Sequence, residues 1–322
     1  MHVFVTGASG FIGGHIARTL AANHQVSALA RSERSAERIR ALGATPVSGD
    51  LETVGDGHLK SMDAVVHAAA FVEEFGTREQ FWAANVDGTT RLLLAARRAG
   101  VARFLHIGTE AAFFVGEDLV GIDESATYPQ IHRYLYPETK AEAERRVLAA
   151  SSAGFHTVSL RPRLVWGPGD TSVMAAIQHK AEQGQWAWID HGTQRTSTCH
   201  VRNLVAAVER ALVAGRSGEA YFVADDGELS MKEFLVPLLR TQGVELAERS
   251  LPGWLARGSA TLVDGLWRTF GLSGTPPLVA FSTAMVSRSV TVKTEKARAE
   301  LGWSPVITRE QGLAEMGANA GG

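Results

Sequence analysis

The chain has 322 residues, 45% of them hydrophobic and 20% charged, and its 32 basic and 34 acidic side chains leave a formal net charge of -2. That balance excludes disorder of the highly charged kind, and it excludes attraction of the whole molecule to nucleic acid or an anionic membrane. A single cysteine, Cys199, excludes an internal disulfide and a multi-cysteine metal site, and the eleven histidines lack metal-ligand spacing, so no metal is expected.

In chain order, short β-branched runs alternate with helical stretches. Strands are predicted over residues 2–5, 25–29, 45–48, 64–67, 103–107 and 157–160, with helices over 13–22, 34–42, 80–99 and 136–153. Strands separated by helices predict a parallel sheet covered on both faces, hence a doubly wound α/β fold. Val165-Trp166-Gly167-Pro168-Gly169 breaks the alternation. Residues 1–168 are therefore read as the first domain, with 193–225 returning to it through a helix at 201–214 and a strand at 220–224. The segments 169–192 and 226–322, with helices at 230–241 and 252–270, form a smaller, mostly helical lobe, and residues 317–322 are expected to fray. No apolar run approaches the roughly 18 residues of a membrane span, and the first residues lack the basic start of a signal peptide, so a cytoplasmic protein is expected.

The turn after the first strand reads Thr6-Gly7-Ala8-Ser9-Gly10-Phe11-Ile12-Gly13. Gly7 permits a tight turn, Gly10 a close approach of backbone to phosphate, and Gly13 close packing of helix on strand. The helix start then offers free N–H groups to a pyrophosphate, so Gly7, Ser9, Gly10, Phe11, Ile12 and Gly13 form the expected cradle of a Rossmann-type dinucleotide site. The second strand ends in Ala30-Arg31-Ser32, without the carboxylate that would hold a ribose 2'-hydroxyl. Arg31, helped by Ser32 or Arg34, can instead meet a 2'-phosphate, so NADP(H) is preferred and NAD(H) remains possible. Asp50 and Leu51 are expected beside the adenine, and Ala68, Ala69 and Ala70 where the fourth strand meets the cofactor.

Tyr136 and Lys140 form the only Y-x-x-x-K in the chain and share one helix face. Reduction of a carbonyl by hydride leaves an alkoxide that needs a proton. A tyrosine can supply it if an ammonium and the oxidised nicotinamide bring its pKa down. Thr109, at a strand end, can polarise the carbonyl and orient Tyr136. Asn85 can hold a water for proton delivery or, equally, satisfy a helix bend.

Together these segments resemble the extended short-chain dehydrogenase/reductase family. The resemblance rests on Thr6-Gly7-x-x-Gly10-x-x-Gly13, Asn85-Val86-x-Gly88-Thr89, Tyr136-x-x-x-Lys140, Arg161-Pro162 before Gly167-Pro168, and Leu301-Gly302-Trp303-x-Pro305. Within the family the chain is most similar to 3β-hydroxysteroid dehydrogenase-like enzymes and carbonyl reductases. The resemblance implies Tyr136 as acid/base, Lys140 as its electrostatic partner and ribose ligand, Thr109 as the accompanying hydroxyl and Asn85 as the relay residue. It also places Pro162 at the cofactor, makes the segments after Gly167 the substrate lobe, and implies a homodimer built through the long helices. Two positions depart from the pattern: Gly108 replaces a second serine, and Arg202 stands where an acid is frequent.

The expected activity is NADP(H)-dependent hydride transfer between nicotinamide and a hydrophobic ketone or secondary alcohol. Trp186, Trp188, Trp254, Trp267, Phe270 and Phe281 are candidates to wall an apolar pocket. The alternative is a nucleotide-sugar epimerase or dehydratase, with Arg195, Arg257 and Arg268 as diphosphate ligands. A non-catalytic NADP sensor would have no use for Thr109, Tyr136 and Lys140 together.

Overall fold

The computed structural model describes residues 1–170, 173–184 and 186–320. Seven strands, β1 (His2–Thr6), β2 (Gln25–Ala30), β3 (Thr45–Ser48), β4 (Ala64–His67), β5 (Arg103–Ile107), β6 (His156–Pro162) and β7 (Glu219–Val223), form one sheet ordered β3-β2-β1-β4-β5-β6-β7. Every neighbouring pair is parallel, so each connection must cross over the sheet. Strand alternation then decides the two cores. Val3 and Val5 face α1 (Phe11–Ala21), α2 (Glu33–Ala41) and, further along, α5 (Val201–Ala211). Phe4, between them, points the other way with Val65 and Phe104 toward α3 (Gly88–Arg98) and α4 (Leu135–Ala149). The doubly wound sheet expected from the sequence is present, and its order reverses between β1 and β4, where open α/β sheets bind ligands.

A second core lies beyond β6. Trp166, Trp188, Phe234, Leu235 and Leu238 pack together under the helix Met231–Arg240. Two further helices, Gly253–Phe270 and Ala280–Val286, complete this side. A small sheet joins Leu229–Ser230, Arg195–Thr196, Val290–Val292 and Leu119–Ile122.

Three differences from the predicted elements have physical causes. The single helix expected at 80–99 is an α segment Arg78–Trp82, a π turn Ala83–Asp87 and then α3. At the turn the Thr89 hydroxyl donates to the Asn85 carbonyl at 2.6 Å, and the helix passes so close to Leu51 that a Cβ at Gly88 would come within 2.9 Å of Leu51 Cβ. The chain end does not stay in the lobe. Ala297, Leu301 and Trp303 pack into the first core, because Asn203 on α5 receives the Val306 and Ile307 N–H groups at 2.7 and 3.0 Å and its carbonyl accepts the Trp303 indole N–H. The fraying expected at 317–322 gives way to a helix Arg309–Ala320, while residues 321 and 322 lie outside the described residues.

Arg202 does not anchor α5, whatever its charge. It is exposed and pairs with Glu315. The anchor is Asp225, just after β7. Its buried carboxylate accepts from Trp166 Nε1 (2.8 Å), Thr198 Oγ1 (2.8 Å), the His200 N–H (2.7 Å) and Asn203 Nδ2 (2.7 Å). Removing it strands four buried donors, so Asp225→Ala is expected to cost about 3–5 kcal/mol, whereas Arg202→Ala costs under about 1 kcal/mol. Urea midpoints of the two variants check the contrast.

Candidate active site

At the carboxyl edge of β1 the glycine turn has the geometry its spacing implies. Gly7 has φ +75°, and a Cβ at Gly13 would stand 2.3 Å from the Gly7 carbonyl oxygen, so helix and turn touch backbone to backbone. Gly10 is the N-cap of α1 and brings no side chain to cap it, which leaves the first helical N–H groups to a ligand. This cradle opens into a cavity of about 1180 Å³ that runs from the turn past β5 and into the second lobe.

The cavity collects most of the residues singled out in the sequence. Gly7, Ser9, Gly10, Phe11, Ile12, Gly13 and Arg31 line it, as do Asp50, Leu51, Ala68, Ala69, Ala70 and Pro162, together with Thr109, Tyr136 and Lys140. Three residues fall elsewhere. Ser32 caps α2, accepting from the Ser35 N–H at 3.3 Å, and neither it nor Arg34 is part of the lining, so Arg31 stands alone at that end. Asn85 is buried away from the cavity. Its Oδ1 accepts the Phe71 N–H at 2.7 Å, and Nδ2 donates to the Phe71 carbonyl (3.2 Å) and Thr139 Oγ1 (3.1 Å). A side-chain amide with both hydrogens committed braces the loop after β4 rather than holding a water, which corrects the relay expectation.

Helix α4 brings Tyr136 and Lys140 to the cavity one turn apart. The Tyr136 ring lies 5.6 Å from that of Phe281, which reaches in from the second lobe. Burial, and then the Glu110 carboxylate, push the Tyr136 phenol well above its ordinary range, while a hydrogen bond with Thr109 works the other way. The protein by itself therefore keeps Tyr136 protonated; the lowering expected from the sequence calls for the oxidised nicotinamide as well as the lysine. The Lys140 ammonium donates to the Ile107 carbonyl at 2.8 Å and contacts His106 Nε2 at 3.2 Å. It is 4% exposed, and burial brings it down to about 8, with Glu144 partly opposing.

Several functional neighbours escaped the sequence reading. Glu110 and Arg163 form a buried ion pair at 2.7 Å in the cavity wall, and Glu110 also accepts the Thr109 hydroxyl at 2.8 Å. Thr109 in turn caps a short 3-10 turn through the Ala111 N–H, so the turn residue and the site residue are the same. Glu110 follows Thr109 directly, the one available hint; nothing local pairs it with Arg163. Behind Lys140, Glu144 accepts from Ser159 Oγ (2.5 Å), from Arg161 Nε (2.9 Å) and from the Tyr128 hydroxyl. This explains Gly108, since a Cβ there would meet Glu144 Oε1 at 2.6 Å and Ser159 Oγ at 2.8 Å.

On the lobe side, Ile177, Trp186, Trp188, Leu235, Phe281 and Met285 make the walls. Trp254 and Phe270 are 71% and 69% exposed, and Trp267 is also outside the lining, so these three are not pocket residues. Arg195, Arg257 and Arg268 are not in the lining either; Arg268, for example, is paired with Asp264 at 2.6 Å. Among the described residues no group of three or more His, Cys, Asp or Glu is placed to hold a metal ion, and no helix is long and apolar enough to cross a membrane.

Comparison with known proteins agrees with this geometry. Residues 3–224 match the model of the NAD dependent epimerase/dehydratase family. The chain is 38% identical over 317 residues to a 4-hydroxy-2-methyl-3-oxo-4-farnesyl-3,4-dihydroquinoline-1-oxide ketoreductase of Stigmatella aurantiaca, covering 97% of this chain and 95% of that one. It is 31% identical over 331 residues to a 2-alkyl-3-oxoalkanoate reductase of Stenotrophomonas maltophilia, covering 99% of both. Among solved structures, UDP-glucuronic acid 4-epimerase from Bacillus cereus in complex with NAD superposes with a TM-score of 0.77 at 18% identity, covering 100% of this chain and 99% of that one, a likeness of fold.

The buried lysine has a measurable consequence. Below pH 8 its ammonium is charged in the folded and unfolded chain alike, so the folded state bears the full penalty of the shift from 10.5 to about 8, about 3 kcal/mol. Between those values the folded chain has released a proton that the unfolded chain keeps, and stability rises with pH. Lys140→Met removes the charge, so the variant's stability relative to the parent is most favourable below pH 8 and declines by about 3 kcal/mol toward pH 10.5. Urea unfolding at the two ends of that range checks it, and a pH-independent difference would contradict it.

Proposed function

Because the chain belongs to the NAD dependent epimerase/dehydratase family, we propose that it is a ketoreductase, an NADP(H)-dependent enzyme that interconverts a hydrophobic ketone and its secondary alcohol. One observation carries the reading: Tyr136 and Lys140 stand in a single cavity whose one end is the glycine cradle and whose other end is walled by aromatic and aliphatic side chains. The cradle fits a dinucleotide, since a Cβ at Gly7 or Gly13 would fill the space between turn, helix and the Ala68–Ala69 backbone. Gly7, Gly10 and the N-terminus of α1 would hold its pyrophosphate, Arg31 a 2'-phosphate, and Lys140 the ribose. When bound, the nicotinamide supplies or takes up the hydride.

The remaining chemistry belongs to the chain. Tyr136, kept protonated by burial and by Glu110, is armed as a donor to the alkoxide that forms as a carbonyl is reduced. Thr109 stands beside it, its hydroxyl fixed by Glu110, and the Arg163 pairing holds Glu110 in turn. Apolar walls of Ile177, Trp188 and Leu235 exclude water and accept an extended hydrocarbon body. The two named relatives are both keto-group reductases, which supports the same reaction here. The epimerase reading has less support in the lobe, where the three arginines proposed to clamp a diphosphate lie outside the lining.

Residues 169–192 and 226–294 act in this reading as the substrate lobe, and a homodimer would cover Leu94, 47% exposed on α3. Two outcomes test the function. Tyr136→Phe lowers kcat for ketone reduction by about 10²–10⁴-fold while NADPH binding persists; a variant that still turns over at the parental rate would remove Tyr136 from its role. The parent prefers NADPH to NADH in kcat/KM, and Arg31→Ala erases about one to two orders of magnitude of that preference, as expected for loss of a charged hydrogen-bonded pair.

A further inference from the structure

A hydroxyl has one hydrogen to give and two lone pairs to receive with, so what Thr109 does in the site depends on what the rest of the protein has already claimed. Thr109 stands just after β5 and caps the 3-10 turn Glu110–Phe113, and its Oγ1 accepts the Ala111 N–H at 3.1 Å. Its hydrogen goes to Glu110 Oε2 at 2.8 Å. One lone pair is all that is left.

Glu110 is not free to turn aside and release that hydrogen. Its other oxygen, Oε1, receives Arg163 Nη1 at 2.7 Å, and the carboxylate and guanidinium side chains are 3% and 6% exposed. Arg163 follows the end of β6, so the clamp joins the carboxyl ends of two neighbouring strands. A pair buried this deeply stays together, because a carboxylate parted from its guanidinium there would be left uncompensated. A ketone oxygen does not win the hydrogen from Glu110 either, since a hydrogen bond to an ionised acceptor is roughly twice as strong as one to a neutral acceptor. In the hydrogen bond that Thr109 shares with the Tyr136 phenol, the phenol is therefore the donor. The hydrogens run in one direction, from Tyr136 to Thr109 to Glu110.

We propose that Glu110, clamped by Arg163, is a positioning residue that holds the Thr109 hydrogen away from the substrate, so that Thr109 only accepts at the reacting oxygen and leaves donation to Tyr136. The inference rests on the ketoreductase reading, which puts the reacting oxygen beside Tyr136 and Thr109. It departs from the expectation that Thr109 polarises the carbonyl. A ketone oxygen has only lone pairs and gains nothing from a hydroxyl that accepts, whereas the hydrogen of the alcohol fits the free lone pair of Thr109. Glu110 thus sets which of the two reaction partners Thr109 holds, although it acts on both only through Thr109.

Glu110→Gln turns the arrangement round while keeping its shape. Arg163 offers only donors, so the amide must show it the carbonyl oxygen and point its NH2 at Thr109. Both lone pairs of Thr109 are then filled, by the amide and by the Ala111 N–H, and its hydrogen is free for the reacting oxygen. Two complexes that do not react read the effect: benzylacetone bound to the protein with NADP+, and the corresponding secondary alcohol bound with NADPH. In titration calorimetry the variant, folded by circular dichroism, is expected to bind the alcohol about tenfold more weakly and the ketone more tightly than the parent, the size of one hydrogen bond lost or gained. Affinities that move together, as damaged packing would make them, that stay unchanged or that shift in the opposite sense overturn the proposal. A second measurement needs neither substrate nor turnover: the infrared carboxylate stretch of Glu110, identified by its loss in Glu110→Gln, shifts in Thr109→Val because the carboxylate loses a donated hydrogen. An unmoved band overturns the proposal even in a protein that reduces no ketone. A shifted band in a parent protein that neither binds nor reduces the ketone overturns the ketoreductase reading instead.

Discussion

A cation buried at the edge of a parallel sheet must be surrounded by groups that replace its water, and Lys140 imposes that demand on this protein. The Ile107 carbonyl at the end of β5, the imidazole of His106 on the same strand and the carboxylate of Glu144 one turn along α4 meet it. Satisfying Lys140 fixes the distance between α4 and the sheet, and with it the place of Tyr136. The same packing leaves no room for a side chain at residue 108, because Glu144 and Ser159 occupy the space a Cβ would need. Glycine at 108 is thus the counterpart of a carboxylate set behind Lys140.

The cavity divides its chemistry by depth. Backbone N–H groups and Arg31 gather at the glycine end, a compact cluster of titratable side chains sits at the middle, and apolar side chains close the far end. Charge at the middle is internally matched: Glu110 faces Arg163, and Arg161 faces Glu144. A substrate entering there meets donors held in place rather than a net field. That arrangement suits a neutral, hydrophobic carbonyl better than a diphosphate, and it accounts for a near-neutral chain carrying strong but local electrostatics.

Much of the site was legible because its signals are local. Gly7, Gly10 and Gly13 are read from the demands of one turn, and Tyr136 with Lys140 from the pitch of one helix. Residues whose roles depend on partners far along the chain were misread or missed. Asn85 carried the right motif, yet Phe71 and Thr139 claim its amide. Ser32 looked like a phosphate ligand and is a helix cap. Trp254 and Phe270 have the composition of a pocket wall but lie on the outer face of their helix. Glu110, Glu144 and Asp225 gave almost no signal, since a single carboxylate in a sequence does not say which arginine or which loop it will face.

The sequence by itself determined the alternation of strand and helix, the phosphate-binding turn and the tyrosine-lysine pair, because each follows from the spacing of residues within one or two elements. Only the tertiary structure decided which groups surround that pair, that Tyr136 is held protonated by the protein, that α5 hangs on Asp225, and that His106 and Ser159 link Lys140 to Glu144. Those outcomes depend on contacts between separate elements, such as β5 with β6 and α4, or the end of β7 with α5, whose residues lie tens of positions apart. Burial sets their strength: the same side chains on a solvated surface would be screened and nearly indifferent to one another.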